Sequence, residues 1–170
     1  MTHLLSIDPG KNTGIALGYY DSLTPYRLLE RWQVHDGFDG FITWWYAARI
    51  HIDELVVEKF ILANNDFTAD ITPKEIEGAI KALLWDDPLP TWWQPRTDKA
   101  LLTGYPDSAK TKAQKQRVRF DFLDRFGLFK PGSENDDSND AITHSLVNLK
   151  KRRHMPTMMA FWPPRRKSVG

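Results

Sequence analysis

The segment HLLSIDPGKNTG, residues 3–14, is the most informative stretch of this chain. An apolar run ends at Asp8, a turn bounded by Gly10 and Gly14 follows, and a second apolar run begins at once with Ile15. This pattern predicts a strand that delivers a carboxylate into a turn, followed by a second strand. A carboxylate beside a core needs a cation or a set of hydrogen-bond donors around it. Asp8 is therefore a candidate ligand for a cation.

Other acidic residues have similar settings. Glu58 ends a second apolar run, and Asp137 and Asp140 open a predicted C-terminal helix, three residues apart and so on one face. Asp136 and Asp140 fit helical spacing equally well. Taken singly, the acids at 137 and 140 are also typical helix caps, and Glu58 with Lys59 is also typical of a surface pair. Taken together, they are typical of an oxygen-ligand site for two divalent ions that hydrolyses phosphodiesters.

Composition restricts the protein class. The chain has 170 residues, of which 41% are hydrophobic, enough for one domain with a core. Because it contains no cysteine, it has no disulfide framework and no thiolate zinc site, and a reducing compartment is expected. The sequence lacks both a long apolar span and a secretory signal pattern. We therefore expect a cytoplasmic protein that does not enter a membrane.

Basic charge is segregated along the chain. Residues 150–170 hold seven Lys or Arg and no acid, which leaves residues 1–149 with a net charge of −6. A second acid-free cluster covers residues 110–119, where Lys112, Lys115 and Arg119 share one helical face that is suited to a phosphate backbone. Such segregation indicates a polyanion-binding surface. A solvated helix face followed by a disordered tail is the alternative interpretation.

Hydrophobic periodicity predicts an α/β fold. The predicted strands are 3–8, 14–20, 26–34, 54–59 and 91–94, and the predicted helices are 38–51, a helix beginning at 72, 109–126 and 138–153. For the helix at 72, Thr72 is the predicted cap and Glu75 completes a capping box. The order implies a mixed five-stranded sheet, three antiparallel strands followed by parallel ones, flanked by helices. Residues 1–153 form the predicted domain, with 95–108 as a loop and 154–170 as a basic, proline-rich tail outside the core.

Tryptophan is frequent in this chain and allows two interpretations. The indole rings at Trp44, Trp45, Trp92 and Trp93 are suited to stacking on nucleic-acid bases. These residues lie within predicted elements, so we expect core packing instead.

Three motifs resemble those of RuvC-type Holliday junction resolvases, which are ribonuclease H-like nucleases. They are Ser6-Ile7-Asp8-Pro9-Gly10 with Gly14, Val56-Val57-Glu58-Lys59-Phe60, and Asp137-Ser138-Asn139-Asp140-Ala141. The resemblance covers about residues 3–150 and includes Glu77-Gly78-Ala79-Ile80. It also includes Pro95, Lys99, Gly104 and Lys110, which are similar to the segment that leads into the family's basic helix.

The resemblance implies a site and an activity. It assigns two Mg²⁺ or Mn²⁺ ions to Asp8, Glu58, Asp137 and Asp140, and it alone favours Asp137 over Asp136. It also implies a lysine near the scissile phosphate, for which Lys99 and Lys110 are candidates and Lys110 is the firmer match. The family is homodimeric and cuts two strands of a four-way junction symmetrically, leaving 5′-phosphates. The chain is also similar to phage-encoded members, which implies the host cytoplasm as its location.

Two features depart from the family pattern. The family's aromatic wedge falls near Phe60, one residue closer to Glu58 than expected, and Phe67 competes with it. The terminal segment, with Phe161, Trp162 and the basic residues 165–167, has no counterpart. DNA contacts are expected from a set of basic and aromatic residues: Lys99, Lys110, Lys112, Lys115, Arg119 and Phe60.

Other functions remain open from the sequence. A less selective flap or fork endonuclease would use the same acids, and a non-catalytic branched-DNA-binding protein would use the same basic surface. A phosphotransferase of the actin and sugar-kinase type also begins with a strand and an Asp-x-Gly turn. That fold needs a duplicated domain and a second Asp-Gly loop, which this sequence lacks.

Overall fold

The computed structural model describes residues 1–61 and 70–164. The strands are β1 Thr2–Asp8, β2 Thr13–Tyr20, β3 Arg27–Val34, β4 Glu54–Lys59 and β5 Thr91–Pro95. The helices are α1 Gly37–Ala48, α2 Thr72–Leu83, α3 Lys112–Arg125, α4 Asp136–Lys151 and α5 Met155–Phe161. Two short 3₁₀ helices, Arg96–Leu102 and Ser133–Asn135, precede α3 and α4 respectively.

The five strands form one mixed sheet in the order β3-β2-β1-β4-β5. The pairs β1–β2 and β2–β3 are antiparallel, whereas β1–β4 and β4–β5 are parallel. This confirms the predicted α/β fold with three antiparallel strands followed by parallel ones. The parallel pairing also brings the C-terminal ends of β1 and β4 to the same edge of the sheet.

Each face of the sheet carries its own hydrophobic cluster. Leu5 and Val57 pack with α1 and α2 on one face, whereas Leu4 and Val56 pack with α3, α4 and α5 on the other. Successive side chains of a strand point to opposite faces. The even-numbered acid Asp8 of β1 therefore faces α4 along with Leu4, and Glu58 of β4 does so along with Val56.

Helix α4 is the central helix of the fold. Every residue from Ser138 to Leu149 is buried, and the helix lies across β1 and β2. Its first turn contains Asp136 and Asp137 and its last turn contains Lys150 and Lys151, an arrangement that suits the helix dipole. Since α4 is enclosed by protein, its polar side chains need partners inside the domain.

Capping differs from the prediction at two helices. Thr72 does not cap α2, because the helical hydrogen bonds begin at the carbonyl of Ile71 and the Asp70 side chain accepts from the Thr72 amide at 3.0 Å. The prediction at Thr72 was therefore wrong. A complete capping box occurs instead at α3, where the side chains of Thr111 and Gln114 each accept from the other residue's backbone amide.

The C-terminal segment also differs from the prediction. Through residue 164, it is not a tail outside the core: Phe161 of α5 is buried, and the Trp162 ring stacks on Phe122 at 5.6 Å between centroids. Pro156 lies in the first turn of α5, where proline is compatible with a helix, so the proline count was misleading. The predicted loop 95–108 likewise contains a 3₁₀ helix. Residues 165–167 lie outside the described residues.

Across residues 1–61 and 70–164, the helices lack the combination of length and apolar character that crossing a membrane requires.

Gly14 allows α4 to approach the sheet. A Cβ atom at Gly14 would lie 1.9 Å from the carbonyl oxygen of Asp137 and 2.6 Å from the Ser138 amide nitrogen. Both are backbone atoms of the first turn of α4, so a side chain at position 14 would force the helix away from β2. The glycine in the first motif therefore sets the distance between the strand acids and the helix acids.

We predict that Gly14→Ala lowers the free energy of unfolding by about 1–3 kcal/mol, the usual cost of overpacking a core. Gly78→Ala is the matched control, because nothing lies within 4 Å of its added Cβ and alanine favours the helix interior. Chemical denaturation of the two variants measures both effects. A Gly14→Ala variant as stable as wild type would contradict this account of the helix approach.

Candidate active site

Three carboxylates converge on one buried lysine. The Lys99 ammonium lies 2.9 Å from Asp8 Oδ2, 2.7 Å from Glu58 Oε2 and 3.0 Å from Asp140 Oδ2. All four residues are buried, with side-chain exposures of 5% for Lys99 and 9–12% for the acids. The acids come from β1, β4 and α4, three elements that are far apart in sequence. The predicted convergence of Asp8, Glu58 and Asp140 is therefore present.

A second buried cation neutralises the helix acid. Arg119 of α3 donates to Asp140 Oδ1 from its Nε at 3.2 Å and from its Nη2 at 2.8 Å, and Nη2 also donates to Oδ2 at 3.1 Å. Its other terminal nitrogen, Nη1, donates to the Tyr105 hydroxyl at 2.9 Å. Arg119 was predicted to follow a DNA backbone, but it is buried and its guanidinium is committed to Asp140 and Tyr105.

His144 is a part of this site that the sequence analysis did not identify. Its Nε2 lies 2.9 Å from Glu58 Oε2, and the residue is fully buried. The histidine lies four residues after Asp140, one turn along the same face of α4, so helical spacing was a signal that pointed to it. Because the Glu58 carboxylate accepts from Nε2, the histidine orients this acid.

Asp137 has a different environment from Asp140. Gln33 of β3 donates from its side-chain amide to Asp137 Oδ2 at 3.1 Å and accepts from the Asp137 backbone amide at 3.1 Å. Asp137 is only partly buried, and Asp136 beside it also lines the cleft described below. The structure therefore brings both helix-start acids to the site, as the spacing allowed.

The site opens into a polar cleft of about 530 Å³. Its walls include the acidic cluster, the turn after β1, Phe60, Arg96 and Lys112. An adjoining cleft of about 520 Å³ is lined by Arg96, Lys112 and Lys115. A basic surface thus leads directly to the carboxylates.

Burial and charge pull the pKa values of the acids in different directions. Burial raises the pKa of Asp8 well above its usual range, and the Lys99 charge only partly opposes this. Burial acts in the same direction on Glu58, but the hydrogen bond from His144 and the charge of Lys99 outweigh it and lower the Glu58 pKa. For Asp140, Lys99 and Arg119 likewise outweigh burial and lower its pKa. The neighbouring carboxylates raise the pKa of Lys99 despite its burial, so it stays charged.

The donor set fits a hard divalent cation. Asp8, Glu58 and His144 present ligand atoms within 4.8 Å of one another, and the carboxylate oxygens of Asp8, Glu58 and Asp140 already surround a positive charge. Magnesium and manganese ions favour such oxygen ligands in a partly solvated site. Besides burial, the charges of Glu58 and Asp140 raise the pKa of Asp8, and a bound divalent cation would favour the ionised form of this carboxyl.

The remaining predicted residues occupy several positions. Lys112 and Phe60 line the cleft, and Lys115 lines the adjoining basic wall. Lys110 is exposed and is absent from both linings, so the lysine that reaches the acids is Lys99. Phe67 lies outside the described residues.

The tryptophans mainly pack in the core. Trp44, Trp45 and Trp93 are partly buried against the cluster formed with α1 and α2, and Trp92 packs against the other cluster. The expectation of core packing is therefore confirmed for these four rings.

Comparison with known proteins identifies the fold. No protein-family model and no curated protein matches the chain. Among solved structures, Thermus thermophilus RuvC aligns with a TM-score of 0.61 at 16% identity, covering 89% of this chain and 96% of that one. T. thermophilus RuvC in complex with a Holliday junction substrate aligns at 0.60 and 15% identity, covering 92% and 98%. Fowlpox virus resolvase with its substrate Holliday junction DNA aligns at 0.55 and 15%, covering 87% and 99%.

These alignments cover most of every chain involved. The protein therefore has the RuvC-type, ribonuclease H-like fold that its motifs predicted. At 15–16% identity the likeness concerns the fold, and chemical function must be argued from the residues of the site.

Lys99 should stabilise the protein by neutralising the acids. We predict that Lys99→Met lowers the free energy of unfolding by about 3–5 kcal/mol, because the variant leaves buried carboxylates without their shared cation. Added Mg²⁺ should restore more stability to the variant than to wild type. Thermal and denaturant unfolding with and without Mg²⁺ measure this difference.

Lys110→Met is the control, since Lys110 is exposed and outside the cluster. Its stability and its response to Mg²⁺ should match those of wild type. If Lys99→Met unfolds like Lys110→Met under both conditions, Lys99 does not hold the acids together.

Proposed function

We propose that this protein is a divalent-metal-dependent endonuclease that resolves four-way DNA junctions by hydrolysing phosphodiester bonds and leaving 5′-phosphates. The observation that carries the proposal is the meeting of Asp8, Glu58 and Asp140 around one positive charge in an open cleft with a basic wall. Carboxylates that are gathered this way from separate elements suit metal-assisted phosphodiester chemistry.

The proposed metal ligands are Asp8, Glu58, Asp137 and Asp140, and the proposed ions are two Mg²⁺ or Mn²⁺. When bound, such ions supply a nucleophile at neutral pH and stabilise the leaving oxygen. Other residues of the chain orient these ligands and keep them ionised. His144 orients Glu58, Gln33 orients Asp137, and Lys99 together with Arg119 keeps Asp140 ionised.

Lys99 has a second proposed role at the substrate. Its ammonium lies at the meeting point of the acids, so a phosphate that enters this pocket would lie beside it. A lysine is a compact point charge on a flexible stem and can neutralise the charge that develops on the phosphate. We therefore assign the scissile-phosphate contact to Lys99. Lys110 is the weaker candidate for this contact, because it lies outside the lining of the cleft.

The proposed DNA path runs along the basic wall beside the site. Lys112 and Lys115 are one turn apart on α3 and line the clefts next to the acids, and Arg96 also lines both clefts. Contacts of this kind supply salt-dependent affinity for the backbone and do not read base sequence. Phe60 follows the strand of Glu58 and lines the same cleft, which supports a role in separating bases at a branch point.

Solved structures that share this fold support the choice of a four-way junction as substrate. Two of the aligned structures contain Holliday junctions with their resolvases. Symmetric cutting of such a junction requires two active sites, so the proposed active form is a homodimer. A less selective flap or fork nuclease would have the same chemistry, and substrate choice separates the two.

Removal of a ligand tests the chemistry. We predict that Asp8→Asn and Asp140→Asn each reduce junction cleavage by more than about 100-fold, because even outer partners of metal ligands are worth about 10–100-fold. Junction binding in Ca²⁺ should persist in both variants. Gel assays of cleavage and of binding with a labelled junction measure the two effects.

Asp39→Asn is the control, since Asp39 is an exposed acid at the start of α1. It should cut like wild type. The same assay is run on four-way, flap, fork and linear substrates. Equal rates on all four would support the less selective nuclease, and wild-type protein that binds junctions without cutting them would refute a nuclease.

Charge removal along α3 tests the DNA path. Lys115→Ala should weaken DNA binding and reduce the slope of log affinity against log salt by about one. Arg117→Ala is matched, because it removes the same charge from the same helix but lies outside the lining of the basic wall. Fluorescence anisotropy across a salt series measures both. Equal losses in the two variants would count against this path.

A further inference from the structure

A second cluster of metal-ligating side chains lies at the opposite end of β1 and β4. His51 Nε2 lies 2.9 Å from Asp53 Oδ1, and His3 Nδ1 lies 3.2 Å from Asp53 Oδ2. The two imidazole rings are 5.3 Å apart between centroids and nearly perpendicular. One ligand atom from each residue lies within 4.8 Å of the others.

The spacing of these atoms suits coordination to one ion. Four ligands at zinc–nitrogen distances of about 2.0–2.1 Å lie about 3.4 Å from one another in a tetrahedral site. His51 Nε2 lies 2.9 Å from Asp53 Oδ1 and His3 Nδ1 lies 3.2 Å from Asp53 Oδ2, so each nitrogen is close to that value from one oxygen of the same carboxylate. His51 has 73% of its side chain exposed and contacts only the Asp53 carboxylate and the edge of the His3 ring among the pairs above, so a small rotation of its ring would bring its nitrogen closer to that of His3.

The carboxylate between the histidines is held in place by the backbone. Asp53 Oδ2 accepts from the His3 backbone amide at 2.7 Å, and the Asp53 amide donates to the His3 carbonyl at 3.0 Å. These bonds continue the parallel β1–β4 pairing, in which Leu4 is opposite Glu54. Two of the three ligands are thus fixed by the sheet, and the third is adjustable.

We propose that His3, His51 and Asp53 form a metal site for a transition ion that favours imidazole, with Zn²⁺ as the best match and Ni²⁺ or Co²⁺ as close alternatives. Two imidazoles and one carboxylate form a donor set that suits these ions and disfavours Mg²⁺, which takes oxygen ligands. Exposure of the cluster leaves the fourth position to water. The ion would join β1 to the segment that enters β4.

This site is separate from the acidic cluster. His3 lies five residues before Asp8 on β1, a separation of about 16 Å along a strand. The two sites also differ in chemistry, because the cleft presents carboxylates around a lysine and the second cluster presents two imidazoles. The inference goes beyond the proposed nuclease function and does not depend on it.

Zinc titration of the full chain tests the site. Isothermal titration calorimetry and thermal unfolding with ZnCl₂ are run on wild type, His51→Gln and His35→Gln. An Asp8→Asn background is included, because Asp8, Glu58 and His144 also have ligand spacing. His35 is an exposed histidine that lies elsewhere, next to Asn12, and is the matched control.

The proposal expects one zinc equivalent that is present in wild type, in Asp8→Asn and in His35→Gln but absent in His51→Gln. Zinc at a hundredfold excess over its Kd should raise the unfolding midpoint by about 5 °C wherever that equivalent is bound. Histidine side-chain NMR signals of His3 and His51 should move together on titration. The proposal is overturned if His51→Gln binds as much zinc as wild type, or if Asp8→Asn alone abolishes binding.

Discussion

The burial of several carboxylates at one point is the constraint on which this structure depends. Asp8, Glu58 and Asp140 are removed from most solvent, and ions in that state are stable only with close countercharge. Lys99 and Arg119 supply it, and each is itself buried. Neither set is stable at this position without the other. The segment 96–102 and helix α3 are therefore bound to the sheet edge by charge as much as by apolar contact.

The C-terminal part of the chain packs against the segment that supplies Lys99. Residues at the C-terminal ends of α4 and α5 bond to the 3₁₀ helix that carries Lys99. Trp162 donates to the Leu102 carbonyl at 2.7 Å, Lys150 donates to the Leu101 carbonyl at 2.6 Å, and Lys151 pairs with Asp98 at 2.7 Å. The terminal helix thus supports the segment that delivers the central cation, although it contributes no residue to the cleft.

Sequence reasoning was reliable where a local pattern has one structural solution. Strand parity is such a pattern: Asp8 lies four residues after the buried Leu4 of β1, and Glu58 lies two residues after the buried Val56 of β4, so each acid faces the same side of its strand as that residue. Reasoning failed where two sites had similar local chemistry. Thr72 and Thr111 both precede a helix with a suitable residue three positions on, and the hydrogen bonds of Ile71 decided against the first. Lys99 and Lys110 both precede the basic helix α3. Only Lys99 lies in the 3₁₀ helix Arg96–Leu102, which places its ammonium among the carboxylates.

The succession of strands and helices along the chain, the mixed sheet with helices on both faces and the positions at which acids end strands could all be predicted from the amino-acid sequence, because they follow from periodicity and turn residues along a continuous stretch. Tertiary structure decided the rest. It places Lys99 among the carboxylates and pairs Arg119 with Asp140 and His144 with Glu58. It also brings α4 close to β2 at Gly14. Each of these joins residues that are at least 21 positions apart, which is the separation of Arg119 and Asp140. Charge compensation and close approach over such separations depend on where the elements pack, and no local pattern records that.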